Sequence, residues 1–324
     1  MDEAAVITPP GVRYFLIVWC VATVVLCLCG NSIVLLATRR FKAIKLDEIS
    51  VALIDNLSAA DIGYTIVGVM PTIGAIVERR WVYGHTMCIV NKFLTNVFFN
   101  MTILLVVLLN ASKLSCLLFP FHTTLRTTRN AIILTVTVWT GVISYSLFST
   151  LASDPDVYFD TVSFQCWVNF GNRIPFGTIL VGWMIFTDFV IVGTTVWLLV
   201  MVKRITEGTI VTKGGIAVIM VSTIFTIANL PAAVVMALKM IDSIHWSPVV
   251  EAFCNIFSTY IYYISNFSNP IIYYFSIKSF RQFIDRKVLR VNIASSEYTS
   301  DQVKVPQRNI RAEPHLREVR DASY

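Results

Sequence analysis

Seven apolar stretches, each long enough to cross a bilayer, recur along this chain and constrain its fold more than any other feature. A helical span needs about 20 mostly apolar residues to cross the hydrocarbon. Within a few residues the stretches run over 12–38, 49–77, 87–119, 132–151, 174–202, 214–241 and 249–274. Composition agrees: 56% of residues are hydrophobic and 14% charged, against roughly 25% charged in soluble domains. A core of 324 residues cannot hide that much apolar surface unless lipid is the solvent. The expected fold is an all-α membrane protein, a seven-transmembrane helix bundle. The first apolar run ends in Arg39-Arg40 and is too long for a signal-peptide core, so it reads as a retained signal-anchor.

Charge orients the bundle. One set of loops carries Arg39, Arg40, Lys42 and Lys45, then Lys113, Arg126 and Arg129, then Lys203, Arg204 and Lys213, then a cluster from Lys278 to Arg290. The opposite set is poorer in Lys and Arg and carries Glu78, Asp154, Asp156, Asp160 and Glu251. The positive-inside bias then places the N-terminus outside and the C-terminus in the cytosol, which requires an odd number of spans. The expected organisation is a short outer segment at 1–11, a helical domain at 12–290 and a disordered polar tail at 291–324.

Several functions are disfavoured at this stage. The net charge of +6 is clustered in loops, which gives nucleic-acid binding little support. Four histidines and no Cys/His spacing argue against a metal enzyme, and no catalytic residue is assigned. No internal repeat is visible and Asp61 is expected to have no second mid-membrane acid as partner, so a transporter is a remote alternative. Cys88 and Cys166 both fall on the outer side, where a disulfide persists and would pin the long loop after span four. The other five cysteines read as small packing residues.

The motifs now add up. Gly30-Asn31, Leu57-Ser58-Ala59-Ala60-Asp61, Trp81-Val82-Tyr83-Gly84 before Cys88, Trp139, Pro231 and Asn269-Pro270-Ile271-Ile272-Tyr273 occur in order. Together they resemble the rhodopsin-like class of G-protein-coupled receptors over about residues 31–283. The resemblance implies a cell-surface receptor for an extracellular small molecule or short peptide, signalling to a heterotrimeric G protein. It also implies a sodium ion held by Asp61, Thr102, Ser265 and Asn269, with Asn31 nearby. The plainer reading of Asp61 is a protonated or hydrogen-bonded structural acid.

Pro270 removes one backbone hydrogen bond from span seven, and the Asn269 side chain is expected to satisfy the freed group. Pro231 and Pro71 are expected to kink spans six and two. The resemblance makes Lys113, Phe225, Pro231, Asn269, Pro270 and Tyr273 the activation switch, with Ile103 the span-three partner of Phe225. At family pocket positions stand Lys92, Thr95, Phe99, Asn229, Tyr260 and Tyr263, of which Lys92 suits an anionic ligand. After span seven, Ile277, Phe280, Phe283, Ile284 and Val288 alternate with Lys278, Arg281, Arg286 and Lys287 at helical spacing. That pattern predicts a short amphipathic helix on the inner leaflet. Ser295, Ser296, Tyr298, Thr299 and Ser300 offer phosphorylation sites for an arrestin.

The departures bear on mechanism. Ser112-Lys113-Leu114 stands where the family has Asp-Arg-Tyr, and Val211 stands at the usual acid of span six. The family's resting lock is therefore expected to be missing. Asn229 replaces the usual Trp, and span five supplies no tyrosine to meet Tyr273. An atypical receptor that binds ligand without driving a G protein is the nearer alternative.

Overall fold

The computed structural model of the chain describes residues 9–40, 46–119, 127–153, 157–168, 174–204, 210–239 and 246–289. The expected tail from 291 onward and its candidate phosphorylation sites lie outside the described residues. Seven long helices form one bundle: α1 (Pro10–Arg39), α2 (Glu48–Glu78), α3 (His85–Leu118), α4 (Thr128–Ser153), α5 (Ile174–Arg204), α6 (Ile210–Lys239) and α7 (Pro248–Ser276). A short helix α8 (Lys278–Phe283) follows, extended by a π turn over Ile284–Val288.

Six of the seven are long and apolar enough to span a membrane by composition alone. The seventh, α7, is more polar, yet its polarity faces inward. Ser265, Asn266 and Asn269 are buried, while Val249, Phe253, Ile271 and Phe275 are exposed. The same inversion holds elsewhere: Asn31, Asp61 and Asn266 are 0% exposed, whereas Phe189 is 77% exposed. Apolar side chains turned outward and polar ones inward are stable only where lipid replaces water. Over α8 and the π turn after it, Phe280 and Phe283 are buried while Arg281, Arg286 and Lys287 stay exposed, the amphipathic arrangement read from the sequence except at Val288, which is exposed.

Two prolines shape the bundle through the carbonyls they leave without a partner. Pro71 has no N–H for the Val67 carbonyl four residues back, and the helix loosens into a π turn over Thr65–Val69. Asn91 of α3 donates its side-chain amide to the Val67 oxygen. In α7, Pro270 frees the Asn266 carbonyl in the same way. Asn31 of α1, not Asn269, supplies the donor at 2.9 Å. The expected role of Asn269 is thereby corrected: its side chain is committed to Asp61.

The one departure from an all-helical chain among the described residues is a β-hairpin after α4. Strands β1 (Val157–Asp160) and β2 (Gln165–Val168) pair antiparallel, Phe159 opposite Cys166. Phe164 in the connecting turn takes a positive φ of 57°. Asp160 holds the turn by accepting from the Val162 and Ser163 amides at 3.0 and 3.1 Å. The disulfide Cys88–Cys166 ties this hairpin to the start of α3, with a Cα separation of 5.6 Å. The hairpin thereby covers one end of the bundle, the hairpin end.

Candidate functional site

Beneath the hairpin lies a cavity of about 550 Å³ bounded by α2 to α7 and both strands of the hairpin. Lys92 sits on its wall, one turn after Cys88. Its Nζ lies 4.9 Å from the centre of the Trp167 ring. No carboxylate among the described residues pairs with it, although Lys239 and Glu251, also on the wall, meet each other at 2.9 Å. Thr95 and Phe99 line the same space.

The other three residues expected in the pocket stand behind its wall. Tyr260 donates its hydroxyl to the Ser163 carbonyl at 3.1 Å, and Tyr263 accepts from Gln165 Nε2, so both brace the hairpin. Asn229 is 0% exposed and donates to both carboxylate oxygens of Asp188 at 2.9 and 3.1 Å. Asp188 of α5 corrects the expectation of a single mid-membrane acid: it is a second one, which pairs with Asn229 and not with Asp61. Trp167 and Tyr262 are cavity residues that sequence reasoning missed.

Below the cavity the helices close around a polar core. Asp61 accepts from Asn269 Nδ2 at 2.9 Å through one oxygen; its other oxygen has no hydrogen-bond partner among the described residues. Thr102 Oγ1 lies toward this carboxylate without a well-formed hydrogen bond. Ser265 donates to the Tyr262 carbonyl at 2.7 Å, which leaves its lone pairs open. Carboxylate, hydroxyl and amide oxygens with unused lone pairs are the donor set of a hard cation, so the residues fit sodium. Phe225 and Ile103 are both buried near this level, and Phe225 packs edge-on against Tyr262 at 6.4 Å. Tyr273 is buried with its hydroxyl unpartnered among the described residues.

A family model described as 7 transmembrane receptor (rhodopsin family) matches residues 30–273. The chain belongs to the rhodopsin family of seven-transmembrane receptors. Among its relatives is human lysophosphatidic acid receptor 4, 26% identical over 224 residues, covering 63% of this chain and 60% of that receptor. The mouse receptor of the same name is 31% identical over 117 residues, 33% of this chain and 31% of its own length.

At the end opposite the hairpin a lysine of α3 is tied to the start of α2. Lys113 side chain is 5% exposed and contacts Asp47, the N-cap of α2, at 3.2 Å. It also donates to Ser50 Oγ at 2.6 Å, and Ser50 lies 3.4 Å from Ser112. Where the family lock would run between α3 and α6, Lys113 instead pairs α3 with α2, a clamp that the sequence did not announce. A Cβ added to Gly214 of α6 would lie 3.8 Å from Lys113 Nζ, so α6 closes over this clamp. One level higher, Asn110 of α3 joins Thr194 and Thr195 of α5 at 3.2 Å and Ser222 of α6 at 3.0 Å.

Proposed function

We propose that the chain is a plasma-membrane receptor for a small organic anion or short anionic peptide, with the hairpin end outside and α8 in the cytosol. The observation that carries this reading is Lys92, a cation on the cavity wall with no carboxylate partner among the described residues. A cation held in a partly apolar cavity is costly until an anion joins it. The Trp167 ring beneath it offsets part of that cost. The relatives' name speaks of lysophosphatidic acid, a phosphate-bearing anion, which agrees in sign.

Ligand binding would shift the equilibrium of the bundle. The readers would be a heterotrimeric G protein at the Lys113 end and an arrestin at the tail. Asp61, Thr102, Ser265 and Asn269 would hold a sodium ion in the resting receptor. The basic loops around Arg39, Arg204 and Arg281 support this orientation by the positive-inside bias. The test is a panel of organic anions, lysophosphatidic acid included, applied to cells expressing wild type or Lys92→Gln at matched surface level. An agonist whose potency falls at least tenfold in Lys92→Gln supports the reading; full potency in the variant overturns it.

A second reading has its own observation. Lys113 lacks the planar fork of arginine and is consumed by Asp47 and Ser50. An atypical receptor that binds ligand without driving a G protein would show binding in the same panel with no second-messenger response.

A further inference from the structure

Tyr262 stands where the ligand cavity meets the polar core. Its side chain lines the cavity. Its ring packs edge-on against Tyr64 at 5.2 Å and Phe99 at 5.1 Å, which fixes its orientation from α2 and α3. Ser265 donates to the Tyr262 carbonyl at 2.7 Å, and the Tyr262 hydroxyl faces the level of Thr102 and Asp61. That hydroxyl is buried without a well-formed hydrogen bond, as are Thr102 Oγ1 and Asp61 Oδ1. Three oxygens from α2, α3 and α7 thus share one condition in one place. Each buried oxygen left without a partner is destabilising. Apolar packing gives no reason to gather two unpartnered hydroxyls beside a carboxylate that is itself 0% exposed. A single hard cation satisfies them together.

We propose that the Tyr262 phenol oxygen is a further ligand of the cation site, added to Asp61, Thr102, Ser265 and Asn269, and that it places the ion directly beneath the cavity floor. The inference rests on the sodium reading above. The phenol enters as a neutral donor, so it adds an oxygen without adding charge. The ring contacts with Tyr64, Phe99 and Phe225 do not depend on the hydroxyl, so Tyr262→Phe keeps the packing and removes only the ligand atom.

The experiment is thermal unfolding of the purified full chain over a sodium chloride series, with choline chloride holding ionic strength constant. Wild type, Tyr262→Phe, Asp61→Asn and Tyr260→Phe are compared. Tyr260 is the control: an equally buried phenol on the same helix whose hydroxyl donates to the Ser163 carbonyl instead. The expected result is a sodium-dependent rise in Tm for wild type and for Tyr260→Phe. Tyr262→Phe should need about tenfold more sodium for half the rise, the effect of one lost charge-assisted contact. Asp61→Asn should lose the dependence. A Tyr262→Phe titration that overlays wild type overturns the proposal. A wild-type chain that does not distinguish sodium from choline overturns it together with the sodium reading. Neither result depends on signalling, so failure here stays separate from failure of the anion-receptor reading.

Discussion

Lys113 of α3 and Asp47 at the N-cap of α2 meet at 3.2 Å across the end of the bundle opposite the hairpin, with Ser50 bonded to both. Asp47 does two jobs, since it also accepts from the Ser50 amide at 3.0 Å to cap its helix. Asp47→Asn separates them, because asparagine caps a helix as well as aspartate but cannot pair with the ammonium. If the clamp restrains the resting bundle, Asp47→Asn should raise basal second-messenger output several-fold at matched surface expression. Lys113→Ala should not follow it upward if the lysine also contacts the G protein. Unchanged basal output in Asp47→Asn would mean that the clamp serves stability alone.

The same pair sets an acid limit. Burial alone would push the Asp47 carboxyl up, but the Lys113 ammonium and the hydrogen bonds from Ser50 outweigh it and hold the group below its ordinary value. A depressed folded pKa contributes stability that is complete above the unfolded value of about 3.9 and fades as pH falls through the folded one. Wild-type Tm should therefore decline in acid below about pH 4. Asp47→Asn should start lower at neutral pH and decline less. Parallel Tm-against-pH curves for the two proteins would show that the pair contributes nothing measurable.

How far the sequence carried the reading depended on the kind of signal. The seven helices were legible because hydropathy over some 20 residues is a bulk property that single substitutions do not hide. The hairpin was not, since its four-residue strands are too short to show a period and its turn depends on Phe164 at positive φ. Lys92, Thr95 and Phe99 reach the cavity as expected, but Tyr260 and Tyr263 do not, while Tyr262 does. Neighbours on a helix are turned by about 100° from each other. One residue therefore exchanges cavity wall for hairpin support. The Lys113 clamp was illegible because its partner comes from α2, far from Lys113 in sequence, and no motif marks an N-cap aspartate as a lock.

Asp188 and Asn229 give a third test. The two are buried and joined by two hydrogen bonds between α5 and α6. Asn229→Leu should lower stability by about 3 kcal/mol, because removing one partner leaves the other unsatisfied in a dry interior. Asp188→Leu with Asn229→Leu should recover most of the loss, since an apolar pair of similar volume needs no partner. Thermal unfolding of the singles and the double reads both; a double variant as unstable as the sum of the singles would show that the pair is not coupled.

The Cys88–Cys166 bond closes a stretch of 78 residues and holds the hairpin beside Trp81 and Phe159. By the loop-entropy argument it contributes about 4.5 kcal/mol. Replacing both cysteines with serine should lower Tm and loosen the cavity roof, so that anion-induced stabilisation falls with it. A reduced protein that keeps wild-type Tm would leave the bond without a structural role.

Among the described glycines the least room is at Gly63 of α2, where an added Cβ would lie 2.3 Å from the Phe98 ring. Phe98 has little freedom to withdraw. Its ring meets Trp139 edge-on at 6.2 Å, and the Trp139 indole donates to Asn56 at 2.8 Å, so the α2–α3–α4 contact is braced from both sides. Alanine favours the helix by about 0.5–1 kcal/mol over glycine, but overpacking a well-filled contact costs about 1–3 kcal/mol. Gly63→Ala should therefore destabilise by about 1 kcal/mol net. Phe98→Leu alone should also destabilise by opening a cavity, yet the two together should exceed the sum of their separate effects in the stabilising direction, because the methyl group fills what the ring vacates. A double-mutant cycle by thermal unfolding reads the sign directly, and additive losses would mean that Gly63 is present for reasons other than the ring above it.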